Sequence, residues 1–336
     1  MSSGMRLGVV GATGVLGQDL LAALEESGTA VAELRAFAGS RSVGESVEFA
    51  GDRLPVLSGE LDFKGLDAVV LCTPAPVALE MIRQALRVEV PCIDCSGALL
   101  GSSEVPLVLA DLGAHDGVSG APLISAPTGP TLVWGPVLSA LQRQAGLVRV
   151  VGTVLHSASA AGRAGLETLS EQTLALIGQQ EIIEPEMGSG PVAFASVPHS
   201  SREAEGKEGA APAEAELQAA LHRLLGGDVA VASSSVYVPS FAGQGGTLWV
   251  ETERPLLPEE AARVLSAAPG IDVVDEEDDP HTREVVGLDE VRVGRLRSDL
   301  SSAEPDRHLL LWLAGDPVRL AAANAVKLLR KRLSLA

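Results

Sequence analysis

Aromatic residues are scarce: three Trp, one Tyr and five Phe in 336 residues, 3% of the chain. The core must therefore be built from Leu, Val, Ile and Ala, and with 46% hydrophobic residues there is enough of them. Basic residues are also short, 25 Lys and Arg against 44 Asp and Glu, for a formal net charge of −19. A surface that acidic repels a polyanion, so no broad nucleic-acid-binding face is expected. Three cysteines, Cys72, Cys92 and Cys95, are too few for a disulfide framework. No apolar run reaches the ~18 residues of a membrane span, and the N-terminus lacks the charged-then-apolar order of a secretory signal. The six histidines show no metal-ligand spacing. These absences point to a cytoplasmic protein with no membrane and no nucleic-acid partner.

What is present is a chain of ordinary globular composition, 21% charged, and long enough for two domains. In the first third, short apolar runs alternate with helical patterns. Arg6–Val10, Val31–Ala38, Ala68–Cys72 and Val90–Cys95 read as strands, and Pro76–Arg87 as an amphipathic helix. Such alternation predicts an α/β fold, a Rossmann-like parallel sheet with helices on both faces. After about Pro130 the runs lengthen and become β-branched: Val148–Leu155, Val229–Val238, Thr247–Glu251 and Val291–Leu296. This half is expected to be α+β with an open, more antiparallel sheet. The stretch Ser200–Ala215 reads as an exposed loop and the acidic run Asp275–Asp279 as a solvated one. Val318–Leu335 forms a strong amphipathic helix whose basic end suits its C-terminal dipole. There is no internal repeat.

The first strand leads straight into Gly11-Ala-Thr-Gly14-Val-Leu-Gly17 and then a helix. Strand, glycine turn, helix is the context in which this motif holds a dinucleotide. Gly11 permits the sharp turn, Gly14 the approach of a pyrophosphate, and Gly17 close helix–strand packing, with phosphates on the N–H groups at the helix start. Gly11, Thr13, Gly14, Val15 and Gly17 are thus the predicted phosphate contacts. An NAD site usually places an acid at the end of the second strand. Here that end is followed by Ser40-Arg41-Ser42, a cation between two hydroxyls, while Glu33 lies well before it. This favours NADP over NAD, with Ser40, Arg41 and Ser42 around the 2′-phosphate.

The ordered set Gly11–Gly17, Ser40-Arg-Ser-Val-Gly44, Ile93-Asp-Cys-Ser96, Ile124-Ser-Ala-Pro127, Phe194-Ala-Ser-Val-Pro-His199, Val238-Pro239, Val293-Gly-Arg-Leu-Arg297, Gly315-Asp316 and Ala323-Asn-Ala325 resembles the aspartate-semialdehyde dehydrogenase family over nearly the whole length. The resemblance implies a nucleotide domain over 1–130 and 316–336. It implies a dimerisation and catalytic-type domain over 131–315, and hence a homodimer with a small-molecule nucleotide. Members of the family reduce an acyl phosphate to an aldehyde, or the reverse, in amino-acid biosynthesis. A cysteine forms a thioester, a histidine acts as acid/base, and NADPH supplies hydride.

The chemistry half departs from that pattern. The family's N-P-N-C-[ST]-T reads Ala126-Pro-Thr-Gly129-Pro-Thr131, so Gly129 stands in the nucleophile's place, and a glycine forms no covalent intermediate. Gln244 takes the place of the acid/base histidine and cannot shuttle a proton near neutral pH. Tyr237 replaces the arginine that holds the substrate carboxylate, and Leu100 the one that holds phosphate. His156 stands where the family has an active-site glutamine. This is similar to the Usg-type paralogues, which lack the active-site cysteine.

Three functions compete. The first is a non-catalytic NADP-binding homologue, a sensor, a scaffold or a partner of an active dehydrogenase. The second is a divergent oxidoreductase using direct hydride transfer, with His156, Tyr237 or Ser159 supplying a proton. The third is retained semialdehyde dehydrogenase activity. Cys72 and Cys92 read as buried small hydrophobes. Cys95, at a strand end near the sheet edge where ligands bind, is the one conceivable substitute nucleophile. His156 is either a hydrogen-bonding residue of a remodelled pocket or a substitute acid/base. His199 reads as structural.

Overall fold

A computed structural model describes residues 4–332 except 43, 59–61, 113–119, 183–189, 200–210, 227 and 276, and Arg41 by its backbone alone. The chain divides into two compact units, Met1–Thr128 with Val318–Ala336, and Gly129–Pro317.

The first unit runs β1 (Met5–Val10), α1 (Val15–Glu26), β2 (Val31–Phe37), β3 (Ser46–Phe49), β4 (Asp52–Leu57), β5 (Ala68–Leu71), α2 (Ala75–Arg87), β6 (Cys92–Asp94) and β7 (Leu123–Ser125). Its seven strands lie in the order β3-β4-β2-β1-β5-β6-β7. All neighbours are parallel except the β3–β4 hairpin. Apolar side chains leave both faces, as a parallel sheet covered by helices requires. Leu7, Val9, Val70 and Ile93 join Leu20 and Leu24 of α1 in one core. Val10, Val69, Leu71 and Cys92 join Ala78, Ile82 and Ala85 of α2 in the other.

The second unit runs α3 (Pro130–Ala145), β8 (Leu147–His156), α4 (Gly162–Ile177), β9 (Val197–Pro198), α5 (Pro212–Leu225), β10 (Ala230–Tyr237), β11 (Gln244–Thr252), α6 (Pro258–Ser266), β12 (Ile271–Val273), β13 (Val291–Ser298) and β14 (His308–Gly315). The sheet order is β12-β13-β14-β11-β8-β10-β9. Its pairings are antiparallel apart from β8–β10 and β12–β13. The last helix, α7 (Pro317–Arg332), contributes Ala322, Ala325, Val326, Leu328 and Leu329 to the α1-side core of the first unit. Asn324 fixes it there: its Oδ1 accepts from Ala110 N at 2.8 Å and its Nδ2 donates to Val108 O at 3.2 Å.

The α/β class and the parallel first sheet agree with the sequence expectation. One expectation needs correction. Of the stretch read as an exposed loop, 200–210 lies outside the described residues, but Pro212–Ala215 is the first turn of α5 and Ala211 is buried. Pro212 occupies the first helical position, where its missing N–H costs nothing. Glu214 Oε2 accepts from Ala211 N at 2.9 Å, closing the helix start.

Candidate functional site

In the first unit, the backbone itself dictates two of the three turn glycines. Gly11 sits at φ +87°, and a Cβ there would lie 2.4 Å from the Cys72 carbonyl oxygen. A Cβ on Gly17 would lie 2.2 Å from the Gly11 carbonyl oxygen, so α1 can press onto the turn only because position 17 is bare. Gly14 differs: it caps α1 in an extended conformation, and a Cβ would meet only Gly11 O at 3.2 Å. Gly14, at the cap position, has no side chain to bond the helix start, and no acid lies in the first turn. The helix start, with Val15 as its first residue, can therefore offer its N–H groups and positive dipole end to an anion.

The end of β2 comes to the same place. Gly11 N and Ala12 N both donate to Phe37 O, at 2.7 and 3.1 Å. Residues Ser40–Ser42 form a single 3-10 turn immediately beyond. Thr13 Oγ1 and Ser42 Oγ are hydrogen-bonded at 2.9 Å, joining the glycine turn to that segment, and Ser40 is exposed. Glu33 lies early in β2 and is bound to Arg35 at 2.6 Å, away from the strand end.

In the second unit the residues at family positions meet at one end of the sheet. β8 and β10 are parallel and end in register at His156 and Tyr237. β11 is antiparallel to β8, and Gln244 stands one residue before the Gly245–Leu155 pair, which carries it across from His156. All three side chains are buried, and among the described residues Gln244 Nε2 has no hydrogen-bond partner. His199 completes an aromatic group, stacked on Tyr237 at 4.9 Å between ring centres and 5.8 Å from His156. His156 Nε2 meets Ser235 Oγ at 3.2 Å. Glu214 underlies this end, accepting Ser235 N at 2.8 Å. Burial, helped by His199, pushes the His156 imidazole down to about 4. Burial lowers His199 as well, partly offset by Glu214, and raises the Tyr237 phenol. The three rings are therefore uncharged at neutral pH and can accept or donate hydrogen bonds, with the Glu214 carboxylate behind them on Ser235 N.

Gly129 caps α3 at φ +49°, ψ −130°. Nothing lies within 4 Å of where its Cβ would be. The requirement for glycine here is conformational: that combination is the first central position of a type II′ turn, which glycine dominates. The three thiols are all held in their protonated form by burial. Burial raises Cys72 and Cys92 to about 12 and Cys95 well above the usual thiol range. Asp94 beside them has no solvent exposure, and its carboxyl is raised by burial. Its Oδ1 accepts from Ser96 N and Oγ at 2.9 and 2.5 Å. Glu214 and Ser235 were not singled out from the sequence. Glu214 sits in an alanine- and glutamate-rich stretch, and only its spacing after a helix-starting proline marks it.

The profile of the semialdehyde dehydrogenase NAD-binding domain matches residues 6–118, and that of the dimerisation domain matches residues 138–320. The aspartate-semialdehyde dehydrogenase of Aquifex aeolicus is 31% identical over 337 positions, covering 97% of each chain. The chain belongs to the aspartate-semialdehyde dehydrogenase family. Aspartate semialdehyde dehydrogenase II from Vibrio cholerae superposes with a TM-score of 0.93 at 26% identity, covering 99% of both chains. A probable aspartate-semialdehyde dehydrogenase from Pseudomonas aeruginosa gives 0.90 at 29% identity, over 98% of this chain and 99% of that one. Among the described residues of this family member, no helix is long and apolar enough to cross a membrane. None of its described His, Cys, Asp and Glu residues form a group of three or more that could hold a metal ion.

Proposed function

We propose that this member of the family binds NADP but has lost the thioester route, as in the Usg-type paralogues, and acts as a non-catalytic homologue. The observation that carries the reading is Gly129. The residue at the nucleophile's position lacks a side chain and holds a backbone conformation that disfavours any replacement. Three further losses support it. Gln244 is an amide in place of an acid/base, Tyr237 a buried phenol in place of a carboxylate-binding cation, and Leu100 a buried alkyl chain in place of a phosphate-binding one. Groups that act as a catalytic unit are not additive, so loss of the nucleophile alone forfeits most of the covalent route.

A nucleotide suits the residues of the first unit. The glycine at the start of α1, the open approach there and the Thr13–Ser42 link favour a pyrophosphate with a ribose beyond it. Gly11, Thr13, Gly14, Val15 and Gly17 would hold the phosphates, and Ser40, Arg41 and Ser42 the 2′-phosphate of NADP. Bound there, NADP would supply hydride chemistry; the chain's own part is to orient it. A homodimer through the second unit follows from the same family reading, and a purely monomeric mass by light scattering at tens of micromolar would contradict it.

The activity test is phosphate-dependent NADP reduction with aspartate semialdehyde, run beside an active family enzyme. No turnover is expected. A rate within about tenfold of the control, a barrier difference of only ~1.4 kcal/mol, overturns the proposal. A second reading, direct hydride transfer to an uncharged carbonyl, is favoured by the His156–Tyr237–His199 group. Tyr237 keeps its proton and is the better acid of that group, because His156 is neutral at pH 7. NADPH oxidation with neutral aldehydes that disappears in Tyr237→Phe would support it.

A further inference from the structure

Strands β5 and β6 lie side by side in the parallel sheet, with Val69 paired to Cys92, Val70 to Ile93 and Leu71 to Asp94. The ladder continues one step further, since Cys95 N donates to Leu71 O at 3.1 Å. Cys72 and Cys95 are therefore the next neighbours in register. They also share a face. Val70 and Ile93, two residues earlier on each strand, belong to the α1-side core, Cys95 belongs to the same core, and Cys72 packs against it. Burial raises the Cys95 thiol and the nearby Cys72 raises it further, as expected of two thiols sharing one apolar site. Adjacent strands stand about 4.8 Å apart, inside the roughly 4.4–6.8 Å between Cα atoms that a disulfide spans. Cys92 faces the other way: it belongs to the α2-side core, and its thiol donates to Val90 O at 3.7 Å.

The pair sits where the sheet meets the glycine turn. Cys72 N donates to Val10 O at 2.8 Å, and Cys72 O is the atom that a Cβ on Gly11 would strike. The strand order is β1-β5-β6, so Cys95 and Gly11 lie on opposite sides of Cys72. A disulfide holds its two Cβ atoms about 3.8 Å apart, closer than neighbouring strands place them. Forming one draws the end of β5 towards β6 and away from β1, which loosens the support of the turn. Cys72 is half-buried and Cys95 buried. Cys72 is thus the thiol that an oxidant reaches first, and Cys95 the one that resolves it. Burial keeps the thiolate fraction of Cys72 small, so the reaction is slow and answers sustained rather than brief oxidation.

We propose that Cys72 and Cys95 form a reversible disulfide that lowers the affinity of the first unit for its nucleotide. The oxidant is a hydroperoxide. Its O–O bond breaks as it takes the Cys72 thiol to a sulfenic acid, and water or an alcohol leaves. The Cys95 sulfur then displaces the hydroxyl, which departs as water with the Cys95 proton. A dithiol reductant breaks the bond again. The effect on affinity rests on the nucleotide reading; the bond does not. For the test, the full chain is held for hours in millimolar hydrogen peroxide, denatured in N-ethylmaleimide, and its mass read. Labels should fall from three to one, the last on Cys92, and dithiothreitol should restore all three. Cys72→Ala should keep both of its labels, and Cys95→Ala should stop at a sulfenic acid on Cys72 that dimedone traps. By calorimetry the oxidised chain should bind NADP about tenfold more weakly than the reduced chain, and saturating NADP should slow the loss of label by linkage. Retention of three labels, a bond to Cys92 or between chains, or a product that dithiothreitol does not reverse overturns the proposal. A Cys72–Cys95 bond with unchanged NADP affinity overturns its regulatory half. A reduced chain that binds no NADP refutes the nucleotide reading and the regulatory half with it, while the label count still decides the bond.

Discussion

Substituting Gly129 tests the central claim about this site with two independent readouts. At φ +49°, ψ −130° an L-residue is strained, and with nothing within 4 Å of its Cβ the strain is conformational rather than steric. Residues held in such regions cost on the order of 1–3 kcal/mol. For a unit of this size each kcal/mol moves Tm by roughly 2–4 °C, so Gly129→Ala should lower Tm by about 2–12 °C. Gly101 has open space around its Cβ and no positive φ, so Gly101→Ala serves as the control and should leave Tm near the parent value. Gly129→Cys should carry the same stability loss. Placed at the N-terminus of the 16-residue α3, its thiol should be acidified by the helix and alkylate readily with iodoacetamide. It should nevertheless give no dehydrogenase turnover, because on the reading proposed above positions 244, 237 and 100 supply neither an acid/base nor a cationic anchor. A Gly129→Ala variant melting within about 1 °C of the parent would refute the conformational argument. Turnover by Gly129→Cys alone would refute the claim that base and anchors are also gone.

Arg41→Ala should erase most of a calorimetric preference for NADP over NAD, and equal affinity of the parent for both would remove the basis for assigning the 2′-phosphate there. His156→Gln should flatten the acid side of the stability curve. A base held near 4 in the folded state and near 6.5 unfolded stabilises fully above 6.5, and that contribution is lost as pH falls towards 4. The loss is at most roughly 3 kcal/mol, read as urea midpoints at pH 7 and pH 4.5. Asp94→Asn should stabilise at pH 8 and be near neutral at pH 4. The folded carboxyl is raised by burial, so ionisation penalises the fold as pH climbs above the unfolded value, and an amide keeps the Ser96 contacts at Oδ1. Gly17→Ala should destabilise severely, whereas Gly14→Ala should fold and lose nucleotide affinity; equal melting of the two would contradict their different surroundings.

The legible parts of the fold were those with a period or a punctuation mark. Strands β1, β5 and β13 and helices α2 and α7 have both, and their observed ends fall within a few residues of the sequence expectation. Helix α3 was invisible because it has no polar face: nearly every position from Thr131 to Leu141 is buried, and Pro136 sits in its middle. A helix buried all round gives no amphipathic signal, and an internal proline reads as a breaker. The start of α5 was hidden by alanine and glutamate, which are as common in exposed segments as in helices. In the site, the replacements at 129, 237 and 244 were readable as residue types. The charge state of the pocket was not, because it arises from burial of His156 and Tyr237 at the ends of β8 and β10, strands joined through the intervening α4 and α5.

The two halves of the chain hold their motifs for different physical reasons, and that bears on what an intact glycine turn means. Gly11 and Gly17 are demanded by backbone packing within the first unit, where any Cβ would collide with a carbonyl oxygen. A family member that had stopped binding nucleotide would still keep both in order to fold. Gly14 is under weaker pressure, and the Thr13–Ser42 bond could be replaced by many polar pairs. These are therefore the positions whose presence argues for a ligand. In the second unit the fold exerts no such hold on a nucleophile. A cysteine at 129 would be strained in this conformation, and a histidine at 244 would have to be buried. Once turnover ceases to be selected, both are residues that stability favours losing. On the function proposed above, keeping the nucleotide turn while changing the catalytic positions is the outcome expected when binding is kept and catalysis is not.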